Sequence, residues 1–196
     1  MRKVAVPAGQ VLPVPPGVSL TEAAGLPEVA CTVWSTIFMT SHLASGESLL
    51  VHGGSSGIGS EEKLAFCKNL GTDVCINYKT EDFVARHWSI VFQKNLESLN
   101  YDGRLFVIGT MGGAVAELDF RSLLGKRQTV QAAGLRSRSP ENKAVIVREV
   151  EEKVWPAIVA GKVKPVVYKS FPLSEAGEAH RLMESSNHIG KILLVP

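Results

Sequence analysis

The chain is short of cysteine, of net charge and of long apolar runs, and each shortage excludes a class of protein. Cys31, Cys67 and Cys75 are odd in number, far apart, and form no Cys-x-x-Cys. A disulfide scaffold and a structural zinc site are therefore disfavoured, and a reducing compartment is favoured. Lys and Arg total 21 against 19 Asp and Glu, a net charge of +2. That balance is too mild to call for a nucleic-acid or membrane-surface partner. No segment approaches the ~20 apolar residues that span a bilayer. The basic residues of Met1-Arg2-Lys3 have no apolar core behind them, so they do not read as a leader. With 196 residues, 45% of them hydrophobic, the chain can build one core with a small appendage. The expectation is a soluble, cytoplasmic protein without a metal, a membrane or a nucleic acid as partner.

What the chain does have is glycine in one telling place. Glu47-Ser48-Leu49-Leu50-Val51-His52 runs into Gly53-Gly54-Ser55-Ser56-Gly57-Ile58-Gly59, an apolar strand entering a glycine loop. Such a loop lets backbone N–H groups approach a phosphate, because no Cβ blocks the approach or the left-handed backbone angles. The loop then meets Ser60-Glu61-Glu62-Lys63. Two carboxylates at the anion-binding end of a helix oppose a pyrophosphate, and like charges ~4 Å apart cost about 4 kcal/mol at an effective dielectric near 20.

The remaining pattern alternates strands and helices. Ser19-Leu20-Thr21-Glu22 is a capping box, and Pro27 opens a helix to Thr40 with Val29, Val33, Trp34, Ile37 and Phe38 as its apolar face. Strands are predicted over Leu49–His52, Val74–Tyr78, Arg104–Gly109, Thr129–Leu135, Val166–Phe171 and Ile192–Val195. Helices are predicted over Ser60–Leu70, Pro140–Ala160 with a break at Pro156, and Ser174–Glu184. This is an α/β chain with a mainly parallel sheet.

Neighbouring residues separate the enzyme classes that use such a loop. A P-loop ends in Gly-Lys-Ser/Thr, but Gly59 is followed by Ser60-Glu61. The loop alone is similar to that of short-chain dehydrogenases, which also need Tyr-x-x-x-Lys. The fourth residues after Tyr78, Tyr101 and Tyr168 are Asp82, Leu105 and Pro172.

A third class fits along most of the length. Its motifs run from Ala5-Val6-Pro7-Ala8-Gly9-Gln10 through Pro27-Glu28-Val29 and Thr32-Val33-Trp34 to the glycine loop. They continue in Asp73-Val74-Cys75-Ile76-Asn77-Tyr78, Asp102-Gly103-Arg104-Leu105, Leu135-Arg136-Ser137-Arg138 and Gly190-Lys191-Ile192-Leu193-Leu194. In these the chain resembles the zinc-free, zeta-crystallin-like quinone oxidoreductases of the medium-chain dehydrogenase/reductase superfamily, most closely the p53-inducible-gene-3-like branch.

The resemblance implies hydride transfer from NADPH to a quinone or related activated carbonyl, with no metal and no dedicated catalytic residue. It places Ser56, Gly57, Ile58, Gly59 and Ser60 at the pyrophosphate, and Lys63 and Tyr78 at the 2′-phosphate. Thr32, Gly109, Leu135, Arg136 and Ser137 fall near the nicotinamide. Read without the family, Lys63 is a solvated helix charge, Tyr78 is edge packing, and Arg136 and Arg138 are surface charges. Thr32 is then a hydroxyl bonded back to its own helix, and His52 a packed strand-end histidine.

The chain also departs from the family. It begins where the GroES-like catalytic domain is nearly finished. Gly59 abuts Ser60 and Arg86 abuts His87, where the family carries further segments. The fold expectation is a reduced Rossmann-like, mainly parallel sheet with a short remnant of the GroES-like domain. Residues 1–40 are the remnant and connecting helices, 41–160 a partial dinucleotide-binding domain, and 161–196 a returning strand–helix–strand. Splicing or a gene-boundary error would account for the missing blocks, and the alternative function is a non-catalytic truncated chain that only dimerises with itself or with full-length homologues. In the resembling family the strand matching Thr129–Leu135 pairs across a two-fold axis, which implies a homodimer.

Overall fold

The computed structural model describes residues 4–52, 60–77, 88–110 and 113–196. The predicted loop residues 53–59 and the strand end at Tyr78 lie outside them. The chain divides into two compact units, Met1–Gly57 with Leu135–Pro196, and Ile58–Gly134. In order, the elements are α1 (Leu20–Ala23), α2 (Pro27–Val33) running into a π-helical segment (Trp34–Thr40), α3 (Glu61–Asn69), α4 (Trp88–Ser98), β1 (Arg104–Val107), α5 (Phe120–Gly125) and β2 (Thr129–Ala132). There follow α6 (Pro140–Lys153), α7 (Trp155–Val159), β3 (Val167–Pro172), α8 (Ala176–Glu184) and β4 (Lys191–Val195).

In the first unit the predicted capping box forms: Ser19 N–H donates to Glu22 Oε2 at 3.1 Å and Glu22 N–H to Ser19 Oγ at 3.2 Å. The core is a cluster of Leu26, Cys31, Ile146, Val150, Trp155 and Ile158. Ile146 and Val150, one turn apart on α6, are fully buried, each worth about 1.5–3 kcal/mol by removal from water. The apolar face expected for the Pro27–Thr40 helix holds at Trp34, which packs on the cluster, but not at Val29, Val33 and Phe38. Val29, Val33 and Phe38 are exposed, whereas Leu26, Ala30, Cys31 and Trp34 face the cluster. Trp34 is held in place by its Nε1–H, which donates to Glu149 Oε2 at 2.9 Å.

The predicted single helix to Thr40 changes pitch at Trp34. Ser41 N–H reaches back five residues to the Thr36 carbonyl at 2.9 Å, and Thr40 Oγ1 donates to the Ser35 carbonyl at 2.7 Å. Competition from a side-chain hydroxyl for a backbone carbonyl is a known cause of such widening. The predicted break near Pro156 also appears, since α6 ends at Lys153 and α7 starts at Trp155 with proline in its first turn. Trp155 Nε1–H donates to the Pro13 carbonyl at 2.8 Å. β3 and β4 pair in parallel with α8 between them, with a register shift between Val167 and Lys169.

In the second unit Ser60 caps α3 and Gly71, at φ +94°, follows its end. β1 and β2 pair in parallel from Arg104 opposite Thr129 to Val107 opposite Ala132, joined through α5. The C-terminus of α4 is closed by side chains. Lys126 Nζ donates to the Glu97 and Leu99 carbonyls at 2.7 and 2.9 Å, and Gln128 Nε2 donates to the Leu96 carbonyl at 2.6 Å. A cation there complements the negative end of the helix.

Two expected strands do not form over the described residues. Leu49–His52 is irregular with Leu49, Leu50 and Val51 about half exposed, and Val74–Asn77 is likewise irregular with Val74 exposed. A strand is stable only beside a hydrogen-bonding neighbour. The described sheets are each two-stranded, β1 with β2 and β3 with β4, so neither segment has one. His52, expected to pack at a strand end, is exposed in a turn. Trp88–Ser98 forms α4, an element the sequence pattern does not predict.

Candidate functional site

The candidate residues fall on both units. In the first, Thr32 sits in the last turn of α2. Its hydroxyl does not bond to its own helix backbone. Oγ1 donates to Glu28 Oε1, four residues earlier, at 3.2 Å. The other carboxylate oxygen of Glu28 accepts from Lys191 Nζ, at the start of β4, at 3.0 Å. Beside Thr32 the Cys31 thiol is pushed above its ordinary range, chiefly by burial and further by the negative charge of Glu28. Cys31 is thus a packed, protonated thiol with no sign of nucleophilic activation.

Leu135, Arg136 and Ser137 form the turn between β2 and α6. Leu135 packs against the cluster that contains Cys31, so the Thr32 helix and this turn share one core. Arg136 and Ser137 are exposed. The Arg136 carbonyl accepts from Lys143 Nζ at 2.9 Å, and Arg138 Nη1 donates to Asn142 Oδ1 at 2.9 Å. Lys143 thereby braces the turn from α6.

In the second unit Ser60 is spent as a helix cap: its Oγ accepts from Lys63 N–H at 3.4 Å. Glu61 and Glu62 occupy the exposed first turn of α3, where carboxylates suit the helix dipole. Lys63 is only 5% exposed, unlike the solvated charge its sequence context suggests. Gly109 follows β1 in an exposed position, and a Cβ there would meet nothing within 4 Å. Packing in this unit does not account for the glycine. Ser56, Gly57, Ile58, Gly59 and Tyr78 lie outside the described residues.

Sequence reasoning missed Glu28 as part of this group. The available signal was the spacing of Glu28 and Thr32, which puts them on one helix face.

The parallel α/β pairs belong to a Rossmann-like nucleotide-binding fold of the medium-chain dehydrogenase/reductase type. Residues 70–194, close to two thirds of the chain, match the family described as zinc-binding dehydrogenase, and the chain belongs to that family. It is 25% identical to the quinone oxidoreductase of Rattus norvegicus, an alignment covering 93% of this chain and 65% of the rat protein. It is 24% identical to the probable polyketide synthase 1 of Dictyostelium discoideum, covering 92% of this chain and 7% of that protein. Among solved structures, the quinone oxidoreductase from Thermus thermophilus, described with its NADPH complex, superposes with a TM-score of 0.79 at 24% identity. That likeness covers 98% of this chain and 72% of that one.

The chain thus spans under two thirds of the rat enzyme and a small fraction of the polyketide synthase. The rat alignment runs over 222 positions, more than the 196 residues of the chain, so the rat enzyme carries segments that this chain lacks.

The family's name raises zinc. Among the described residues no three His, Cys, Asp or Glu side chains cluster to hold a metal ion. The described residues do not fit a zinc site. In the first unit the Thr32 hydroxyl and the exposed Arg136–Ser137 turn stand over one core, polar groups of the kind a dinucleotide's carboxamide can meet. The burial of Lys63 and the capping role of Ser60 give no such fit at the adenosine end. Among the described residues no helix is long and apolar enough to cross a membrane.

Proposed function

We propose that this chain is the nucleotide-binding part of an NADPH-dependent reductase acting on quinones or related activated carbonyls. The observation that carries the reading is the family match over residues 70–194. Relatives named as a quinone oxidoreductase and, from Arabidopsis thaliana, an NADPH-dependent alkenal/one oxidoreductase point the same way. NADPH supplies the hydride when bound. The chain's own part is to orient the nicotinamide through Thr32 and the Leu135–Ser137 turn, and to cradle phosphate with the glycine loop ending in Ser56-Gly57-Ile58-Gly59. Lys63 and Tyr78 belong to this reading only through the family resemblance, and burial of Lys63 lends it no support. A homodimer and a cytoplasmic location complete the proposal.

A second reading has its own observation. The relatives carry segments absent here, and the described part of the second unit holds a two-stranded sheet. Both fit a non-catalytic chain that only dimerises. Titration of NADPH followed by its fluorescence separates the two, with quinone-dependent NADPH oxidation as the second arm. Binding and turnover are expected. Absence of binding up to about 1 mM, the top of the ordinary KM range, rules out the reductase and leaves the second reading.

A further inference from the structure

The Glu28 carboxylate stands between two groups that the sequence places 159 residues apart, Thr32 and Lys191. One oxygen takes the Thr32 hydroxyl proton at 3.2 Å and the other takes a Lys191 ammonium proton at 3.0 Å. A threonine hydroxyl has one proton to give and two lone pairs. With the proton directed at Glu28, what remains on Oγ1 for a ligand is acceptor capacity alone. Lys191 keeps Glu28 turned this way by donating to the far oxygen, and a carboxylate oxygen can only accept. A neutral threonine on a helix would ordinarily give its proton to a backbone carbonyl three or four residues earlier. Here the i−4 side chain takes it.

From this geometry we infer that Glu28 is a positioning residue that fixes the polarity of Thr32, making the site selective for a ligand group that donates N–H. The inference rests on the proposed reductase reading, in which Thr32 faces the nicotinamide. The primary carboxamide of nicotinamide has such a donor in its NH2, whereas a methyl ketone in the same place offers only an acceptor oxygen. A carbonyl presented to the acceptor side of Thr32 meets two lone pairs facing each other.

Glu28 and Lys191 side chains are 71% and 42% exposed, and exposed ion pairs contribute little to stability. Removing Glu28 therefore changes what Thr32 offers a ligand without removing a core contact. Freed from Glu28, the hydroxyl can turn its proton toward a carbonyl oxygen, so the preference should collapse.

The test compares dissociation constants of NADP+ and its 3-acetylpyridine analogue, by calorimetry, for the full chain and its variants. One net hydrogen bond corresponds to a preference for NADP+ of about three- to tenfold. The Glu28→Ala variant is expected to bring the two ligands within twofold of each other, mainly by improving the analogue. Thr32→Val is expected to do so by weakening NADP+. Circular dichroism and the unfolding midpoint confirm that each variant is folded. A parent that binds both ligands, with Glu28→Ala keeping the parental ratio, overturns the inference and leaves the reductase reading standing. A parent that binds neither ligand overturns both.

Discussion

Asp102 and Arg127 each lie two residues before a strand of the parallel pair β1–β2, and they grip one another by a double hydrogen bond. Arg127 Nε donates to Asp102 Oδ1 at 2.9 Å and Nη2 to Oδ2 at 2.8 Å. Both residues adopt positive φ, 58° for Asp102 and 51° for Arg127, a conformation uncommon outside glycine. Asp102 N–H also donates to the Lys126 carbonyl at 2.8 Å, and the Arg127 guanidinium lies 5.5 Å from the centre of the Tyr101 ring. The fork thus fixes where the two strands start, and with it their register.

This pair predicts a pH effect. The hydrogen bond from Arg127 holds the Asp102 carboxyl below its ordinary range, against a smaller opposing effect of desolvation. An acid depressed in the folded state contributes stability above its unfolded value, near 3.9, and loses it as pH falls through the folded value. Asp102→Asn keeps the shape, and Asn tolerates positive φ. Its unfolding midpoint in denaturant should lie below the parent's at pH 7 and converge on it below about pH 4. A gap that stays constant down to pH 3 would show that the carboxylate charge is irrelevant.

Gly190 carries a prediction of a different kind. It sits at φ +91°, and a Cβ there would come 2.4 Å from the Val166 carbonyl oxygen and 2.6 Å from Val166 Cγ1. The same carbonyl receives Lys191 N–H at 2.7 Å, so the backbone has no room to yield without losing the first bond of the β3–β4 ladder. Gly190→Ala should cost about 2–4 kcal/mol, through strain and a displaced strand, read from chemical denaturation. A loss under about 0.5 kcal/mol, the scale of an ordinary surface change, would mean that this turn relaxes freely.

Much of the first unit was legible because its signals are local. Ser19 with Glu22, Pro27 and Pro156 announce helix ends through groups that act within one turn, and they act there. The strand pair β1–β2 was legible from apolar runs behind Asp102-Gly103 and at Thr129-Val130. Leu49–His52 misled for a non-local reason: its apolar residues suit a strand, but strandedness depends on a neighbour that pattern cannot supply. The π-helical turn at Trp34 and the choice of Leu26 and Cys31 over Val29 and Val33 depended on what α6 presents. For the site, Thr32 was legible only through resemblance. Glu28 was not, since its partner Lys191 lies on a strand at the far end of the sequence.

Lys63 separates two consequences of one substitution. If its ammonium reads a 2′-phosphate, Lys63→Ala should weaken NADPH about tenfold while leaving NADH unchanged, the scale of one charged hydrogen bond. If it is a structural group within the second unit, the variant should unfold earlier and keep its cofactor preference. Its 5% exposure favours the second, because a phosphate reader must be reachable by a hydrated dianion. The expected outcome is a lower unfolding midpoint with an unchanged NADPH-to-NADH ratio. A selective loss of NADPH affinity in a normally stable variant would return Lys63 to the phosphate site.

The side of β2 away from β1, which has no strand partner among the described residues, is the proposed route to a dimer. β2 pairs with β1 and with no second described strand. Thr129, Gln131 and Ala132 are exposed, and Val130 is half-buried. An open edge without proline or dense lysine is a template for another strand. A second copy meeting it across a two-fold axis would satisfy both edges at once. Leu135 takes no part, since it packs against the core of the first unit, so the pairing segment shortens to Thr129–Ala132. Light scattering of the parent at micromolar concentration should give twice the chain mass, and Val130→Lys should give the chain mass with an unchanged circular dichroism spectrum. Val115→Lys, at a valine 86% exposed elsewhere in the unit, should leave the dimer intact and so control for added charge. A monomeric parent, or a Val130→Lys chain that still dimerises, would remove β2 as the interface.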